Sequence, residues 1–229
     1  MTQPSTNGGT PASSGRTPAQ GNRLDPWYDV YADRAHNLRA SEIRALFSVV
    51  SRPEVVSLAG GMPNLKDLPL DKLAASAEKL VRNHGAQAMQ YGSGQGWEVL
   101  RERITEVMSY DGIVGADPDD VVVTTGSQQA LDLVTELFVN PGDVILAEAP
   151  SYVGALGVFR ARQADIVHVP MDEHGIIPEA LEETIRAVRA SGRTIKFIYI
   201  IPNYHNPAGV TLSAERRPII AEICLREHV

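Results

Sequence analysis

The sequence predicts an α/β fold, a mainly parallel sheet with helices on both faces. Two observations carry this reading. From Val121 onward, short β-branched or apolar runs alternate four times with longer segments of helical periodicity. Such alternation implies right-handed crossovers between parallel strands, which lays helices over both faces of one sheet. The second observation is the run Val121-Val122-Val123-Thr124-Thr125-Gly126-Ser127-Gln128. It reads as a strand that passes through a glycine turn into a helix.

Residues 1–22 are mostly Ser, Thr, Pro, Gly, Asn, Gln and Ala. They offer nothing to pack and read as a disordered lead-in. Residues 23–60 form an N-terminal segment. Within it Leu24 to Arg52 reads as helical, with Ile43, Leu46 and Phe47 on a short apolar face, and Val55 to Ala59 as a brief strand. Gly60-Gly61-Met62-Pro63-Asn64 follows as a loop, because two glycines close to a proline mark unusual backbone angles or close ligand approach.

The large domain is placed at 61–229. Leu70 to His84 reads as an amphipathic helix, and Gln90 to Gly96 as a glycine-rich loop. The loop does not match the G-x-G-x-x-G dinucleotide spacing and follows no strand, so that function is set aside. Trp97 to Tyr110 reads as a helix, with Trp97, Leu100, Ile104, Val107 and Met108 on a face expected in the core. Then come strand 121–124 and helix 127–139, whose apolar face is Ala130, Leu131, Val134, Leu137 and Phe138. Strand 144–148 leads to helix 152–162, strand 166–169 to helix 178–190, and strand 194–201 to helix 213–228 with Ser213 as its cap.

Composition narrows the function classes. The chain has 229 residues, enough for a large core, and a net charge of −7 with no basic stripe. That disfavours nucleic acid and anionic membrane surfaces as partners. Cys224 is the sole cysteine, so no internal disulfide forms, which suits a reducing cytoplasm. No apolar run approaches the roughly 20 residues of a membrane helix, and no secretory signal opens the chain.

In open α/β sheets, ligands sit beyond the carboxyl ends of the strands. Here those ends carry the loops Thr125–Gln128, Ala149–Tyr152 and Pro202–Gly209. The helix start at Ser127 presents free N–H groups and a favourable dipole to an anion. A serine that only caps its helix explains the same residue. A serine-hydrolase reading fails, because a nucleophile elbow needs G-x-S-x-G and Thr125 and Gln129 hold the glycine positions. His205 has no Cys, His or carboxylate cluster near it in sequence, so no metal site is assigned.

Taken in order, Gly126-Ser127-Gln128, Pro150-Ser151-Tyr152 and Pro202-Asn203-Tyr204-His205-Asn206-Pro207-Ala208-Gly209 resemble the class I/II, fold-type I, pyridoxal-phosphate-dependent aminotransferases. Leu58 to Pro63 is similar to the Leu-Ala-Gly-Gly-x-Pro stretch of their 2-aminoadipate transaminase-like branch. The resemblance spans about residues 40–229. It implies the large domain of that fold at 61–229, preceded at 23–60 by part of the small domain. It also implies pyridoxal 5'-phosphate as cofactor, an amino acid and a 2-oxo acid as substrates, and a homodimer.

The resemblance assigns Gly126, Ser127 and Gln128 to the phosphate, Tyr152 to stacking on the ring, and Asn206 to the phenolic oxygen and the substrate. Tyr91 would reach the phosphate of the neighbouring subunit, and Gly61 would leave room near the substrate carboxylate. The family's Schiff-base lysine, its aspartate for the ring nitrogen and its substrate arginine lie beyond the Asn-Pro-x-Gly loop. The chain's lysines are Lys66, Lys72, Lys79 and Lys196, none at that position, so no catalytic lysine is named. The final helix has no strand after it, and the chain is expected to be an N-terminal portion that is inactive by itself. A lyase or decarboxylase of the same fold is an alternative. A further one is the ligand-sensing domain of a transcriptional regulator. That needs a helix-turn-helix ahead of the domain, and residues 1–40 are too short and polar to supply it.

Overall fold

The protein's structure, a computed structural model, describes residues 27–36, 52, 54–56 and 65–229. The chain divides into two compact units, Met1–Leu38 and Arg39–Val229. In the first, Tyr28–Val30 forms a 3-10 turn and Asp33–His36 a helical turn (α1), and the Tyr28 and Tyr31 rings meet edge to face with centroids 6.5 Å apart. The lead-in 1–22, most of the expected helix Leu24–Arg52, and the loop with Gly61 lie outside the described residues. Of the brief strand expected at 55–59, Val55 and Val56 are described and are not in a strand.

The second unit is organised around β1 (Val144–Ala149), whose sequence Val-Ile-Leu-Ala-Glu-Ala is apolar at successive positions. Such a strand suits burial on both faces, and Val144, Ile145, Leu146 and Ala147 are all 0% exposed. β1 pairs in parallel with β2 (Asp165–Asp172) on one side and β4 (Ile195–Tyr199) on the other. β2 also pairs antiparallel with the two-residue β3 (Gly175–Ile176), giving the order β3-β2-β1-β4. The sheet is mainly parallel as predicted, with one short hairpin that the sequence did not signal.

Alternate residues of β1 feed two apolar layers. Val144 and Leu146 meet Val169, Ile176 and the inner faces of α6 (Pro178–Ala190) and α7 (Arg216–Glu227), through Leu181, Ile185, Val188, Ile220 and Ile223. Ile145 and Ala147 meet α5 (Val153–Ala161) through Ala155, Leu156, Val158 and Phe159. The Phe159 ring stands edge-on to Phe197 at 5.9 Å and to Tyr199 at 5.5 Å. Each large side chain removed from water in these layers contributes about 1.5–3 kcal/mol. Helices therefore cover both faces.

Val121–Thr124 departs from expectation. The stretch lies outside the sheet, and the Val123 N–H donates to the Gln95 carbonyl at 2.7 Å. β-branched composition favours a strand only where a ladder partner is at hand, and here the nearest backbone is a loop. α2 (Leu70–Ala88) runs past the expected end at His84, where the backbone leaves helical angles at φ −135° and ψ 20°.

Two predicted helix faces also need correction. On α3 (Glu98–Tyr110) and its cap, Ile104 and Met108 are half-buried, but Trp97, Leu100 and Val107 are exposed. Arg101 is the buried residue there, anchored to Pro118 and Asp119. On α4 (Gly126–Phe138), Val134, Leu137 and Phe138 face solvent, while Leu131 and Thr135 face inward. The packed side carries both kinds of contact: Leu131 meets the layer of α5 and Phe159, and Arg162 holds Asp132 and Glu136 at 2.8–2.9 Å. Among the described residues no helix is long and apolar enough to cross a membrane.

Candidate functional site

Parallel strands point all their carboxyl ends one way, and the loops found there are the β1–α5 connection, the loop between β4 and α7, and the start of α4. The last is brought in by a side chain. Gln128 Nε2 donates to the Gly154 carbonyl at 3.2 Å, fastening the first turn of α4 to that of α5.

α4 begins at Gly126, whose φ of +75° turns the extended chain into the helix. A side chain would strain that conformation. Around it the Thr125 N–H is taken by Gln129 Oε1 at 2.6 Å, and the Thr124 hydroxyl donates to the Gly126 carbonyl at 3.1 Å. The amides of Ser127 and Gln128 belong to the first turn, where a helix supplies no internal acceptor and its dipole favours an anion. Both residues are exposed. The Gln128 side chain is engaged with Gly154, so what it presents outward is its main-chain N–H.

Tyr152 precedes α5 and packs half-buried against the Phe159 layer. Its ring lies across Gly154 so closely that a Cβ there would overlap it. Ser151, between Pro150 and Tyr152, is buried with a hydroxyl that has no partner among the described residues. Burial, then the nearby Tyr152 and Glu148, pushes the Tyr199 phenol above its ordinary range.

Asn206 is exposed on the β4–α7 loop, and the loop beneath it is tightly bonded. The His205 N–H donates to Val210 at 2.8 Å, Leu212 N–H to Pro202 at 2.9 Å, and Arg217 Nη2 to Asn203 Oδ1 at 2.6 Å. The peptide bonds Ala149–Pro150 and Asn206–Pro207 are cis. His205 is 2% exposed, and its Nε2 lies 3.1 Å from Glu148 Oε2. Glu148 also accepts the Ile201 N–H at 2.8 Å. Burial raises its carboxyl pKa, outweighing the opposite pull of Ile201 and His205.

The sequence reading missed this buried pair. The signal was available in part: a carboxylate near the end of an otherwise apolar, doubly covered strand has to be compensated. The compensating residue lies 57 positions further on, and nothing local names it.

Tyr91 lies apart from these loops. Tyr91 is fully exposed and lines a cavity of about 690 Å³ with Leu80, His84, Trp97 and Arg101. None of Ser127, Gln128, Tyr152 and Asn206 lines that cavity. The loop carrying Tyr91 is tied toward the α4 approach by Gln95, which donates to Asp119 at 3.1 Å and accepts from Val123. Gly61 is outside the described residues. Lys196 pairs with Asp143 at 3.3 Å, at the amino ends of β4 and β1 and so at the opposite edge from the loops. Among the described residues no three His, Cys, Asp or Glu side chains group as metal ligands would.

The chain is similar to known proteins over most of its length. It is 37% identical over 193 residues to the aromatic-amino-acid aminotransferase 1 of Thermococcus litoralis, covering 84% of this chain and 46% of the relative. A crystal structure of Pyrococcus horikoshii kynurenine aminotransferase in complex with PMP superposes with a TM-score of 0.82 at 34% identity, over 90% of this chain and 51% of that one. A crystal structure of α-aminoadipate aminotransferase from Thermus thermophilus, complexed with N-(5'-phosphopyridoxyl)-L-leucine, gives 0.76 at 32% identity, over 89% and 48%. The chain thus spans about half the length of these relatives. The family model described as aminotransferase class I and II matches residues 53–229, and the chain belongs to that family.

Proposed function

We propose that the protein acts as a pyridoxal-phosphate-dependent aminotransferase, moving an amino group between an amino acid and a 2-oxo acid. The observation that carries this is the Gln128–Gly154 bond, which joins the anion-favouring start of α4 to the start of α5, where Tyr152 stands. The residues present suit such a cofactor. The helix start at Gly126 offers main-chain amides to a phosphate, and the Tyr152 ring offers an apolar face. The buried Ser151 hydroxyl, unpartnered among the described residues, is a polar group that costs about 1–3 kcal/mol when unsatisfied. Relatives bearing phosphopyridoxyl or PMP ligands support the same choice.

When bound, pyridoxal phosphate supplies an electron sink for the carbanion at the amino acid's α-carbon. This chain's residues would seat and orient it. The Ser127 hydroxyl and the amides of Ser127 and Gln128 would hold the phosphate at the turn made by Gly126, whose own N–H donates to the Thr124 carbonyl at 2.9 Å, and the Tyr152 ring would align the cofactor plane. Asn206 would donate from its side-chain amide to the phenolic oxygen and meet the substrate, and Gly61 would leave space near the substrate carboxylate. In a homodimer Tyr91 reaches the partner's phosphate, a role supported by its full exposure. A reducing cytoplasm suits the single cysteine.

The experiment loads the protein, together with whatever coding sequence follows the Val229 codon, with pyridoxal phosphate. A panel of amino donors, aromatic and aminoadipate included, is then offered with 2-oxo acid acceptors. Formation of the acceptor's amino acid is expected. Loss of carbon dioxide or cleavage without amino transfer would favour a lyase or decarboxylase, and absence of cofactor absorbance would overturn the reading.

A further inference from the structure

The loop that carries Asn206 stands on a buried polar foot. The side chains of Glu148 and His205 are each 1% exposed. Glu148 Oε2 accepts the Ile201 N–H at 2.8 Å, just past β4, and lies 3.1 Å from His205 Nε2, close but off the straight line of its N–H. Across the ring, His205 Nδ1 accepts the Ala208 N–H at 3.2 Å. A nitrogen that accepts carries no proton, so the ring's proton is on Nε2, facing Glu148. The imidazole is therefore a strut from the end of β1 to the backbone two residues beyond Asn206.

The main chain reinforces it. The His205 N–H donates to Val210, and the His205 carbonyl accepts the Gly209 N–H at 2.5 Å. Asn206 is thus bracketed by anchored residues while its own side chain stays exposed. Burying a carboxylate is costly, and an apolar pair of similar volume would fill the space at least as well. What the polar pair adds is direction.

We propose that Glu148 and His205 are positioning residues that fix how the Asn206 side-chain amide is presented to the phenolic oxygen of a pyridoxal-type ligand. The ligand rests on the function proposed above, whereas the strut does not.

Nuclear magnetic resonance of the isotope-labelled chain separates the two. At neutral pH the His205 ring is expected to show a protonated Nε2 and an unprotonated Nδ1. A proton on Nδ1, or on both nitrogens, overturns the strut. Glu148→Ala is expected to shift the Asn206 side-chain amide resonances, and Glu148→Gln, which keeps an acceptor oxygen, to restore them. His205→Gln reaches Glu148 but not Ala208, and should speed Ala208 amide exchange roughly tenfold, as loss of one hydrogen bond does. His205→Asn keeps the Ala208 end and should leave that amide protected. These two variants read the strut even if Glu148→Ala unfolds. Unchanged Asn206 and Ala208 signals across the set overturn the proposal. Titration with pyridoxal 5'-phosphate should then move the Asn206 side-chain resonances in the unaltered chain and in Glu148→Gln, but less in Glu148→Ala. An Asn206 that ignores the ligand while the strut results hold overturns the cofactor target alone.

Discussion

The ring of Tyr152 lies over the α-carbon of Gly154, two residues further on, with no room between them for a methyl group. The same glycine's carbonyl receives Gln128. One small residue therefore serves both the ring and the helix-to-helix fastening.

Gly154→Ala would push the ring aside without unfolding the protein. The far end of a tyrosine can swing, and alanine in a helix is favoured over glycine by up to about 1 kcal/mol, so the two effects roughly offset. The melting temperature should stay within a few degrees. Affinity for pyridoxal phosphate should fall about fivefold, as loss of an aromatic stack worth about 1 kcal/mol implies. A fluorescence titration beside a thermal melt checks both.

The true packed faces can be separated by two truncations. Phe159→Ala empties a fully buried site against Phe197 and Tyr199 and should cost about 3–5 kcal/mol. Leu137→Ala, at a residue 75% exposed, should stay within about 0.5 kcal/mol. Urea denaturation midpoints measure the difference. A large loss at Leu137 would restore the apolar face predicted for α4.

Acid should loosen the β2–α7 clasp. Arg216 grips both oxygens of Asp172 at 2.6 and 2.8 Å and holds its pKa down to about 2. A carboxyl pKa lowered in the folded state adds stability that is present above its unfolded value, near 3.9, and lost as pH falls through about 2. Asp172→Asn should therefore lower the melting temperature by a few degrees at pH 7, and the gap to the unaltered protein should shrink below pH 4. Thermal melts from pH 7 to pH 2 follow it.

Cys224 is half-buried on α7, and burial raises its thiol pKa. Less thiolate at neutral pH means slower alkylation. Iodoacetamide should label it several-fold more slowly than a free thiol at pH 7, and at a matching rate only once the chain is unfolded in urea. Mass spectrometry over time gives both rates.

The fold was legible where one periodicity had one explanation. Val144 to Glu148 and Pro178 to Ala190 followed the pattern because continuous apolar residues and a clean amphipathic helix each admit a single burial. Val121 to Thr124 misled because β-branched residues show willingness to extend, not the presence of a neighbouring strand. Val134, Leu137 and Phe138 misled because helical periodicity does not say which side of α4 meets α5; Leu131 and the Asp132–Arg162 pair, 30 residues apart, mark that side. In the candidate site, Tyr152 and Asn206 stand in loops after strands, where the sequence places them, whereas Ser127 follows an extended segment outside the sheet. Glu148 and His205 were not readable, since two side chains that meet in the core from 57 positions apart leave no local spacing to notice.

The pairing of Lys196 with Asp143 bears on how the protein can be labelled. Lys196 stands about five residues, or roughly 16 Å, before the loop that begins near Ile201, and at the far rim of the sheet. Reductive trapping of an aldehyde on this amine would add the mass of a bound cofactor yet mark the wrong rim. Peptide mapping, and not intact mass, therefore distinguishes a seated cofactor from a bystander adduct.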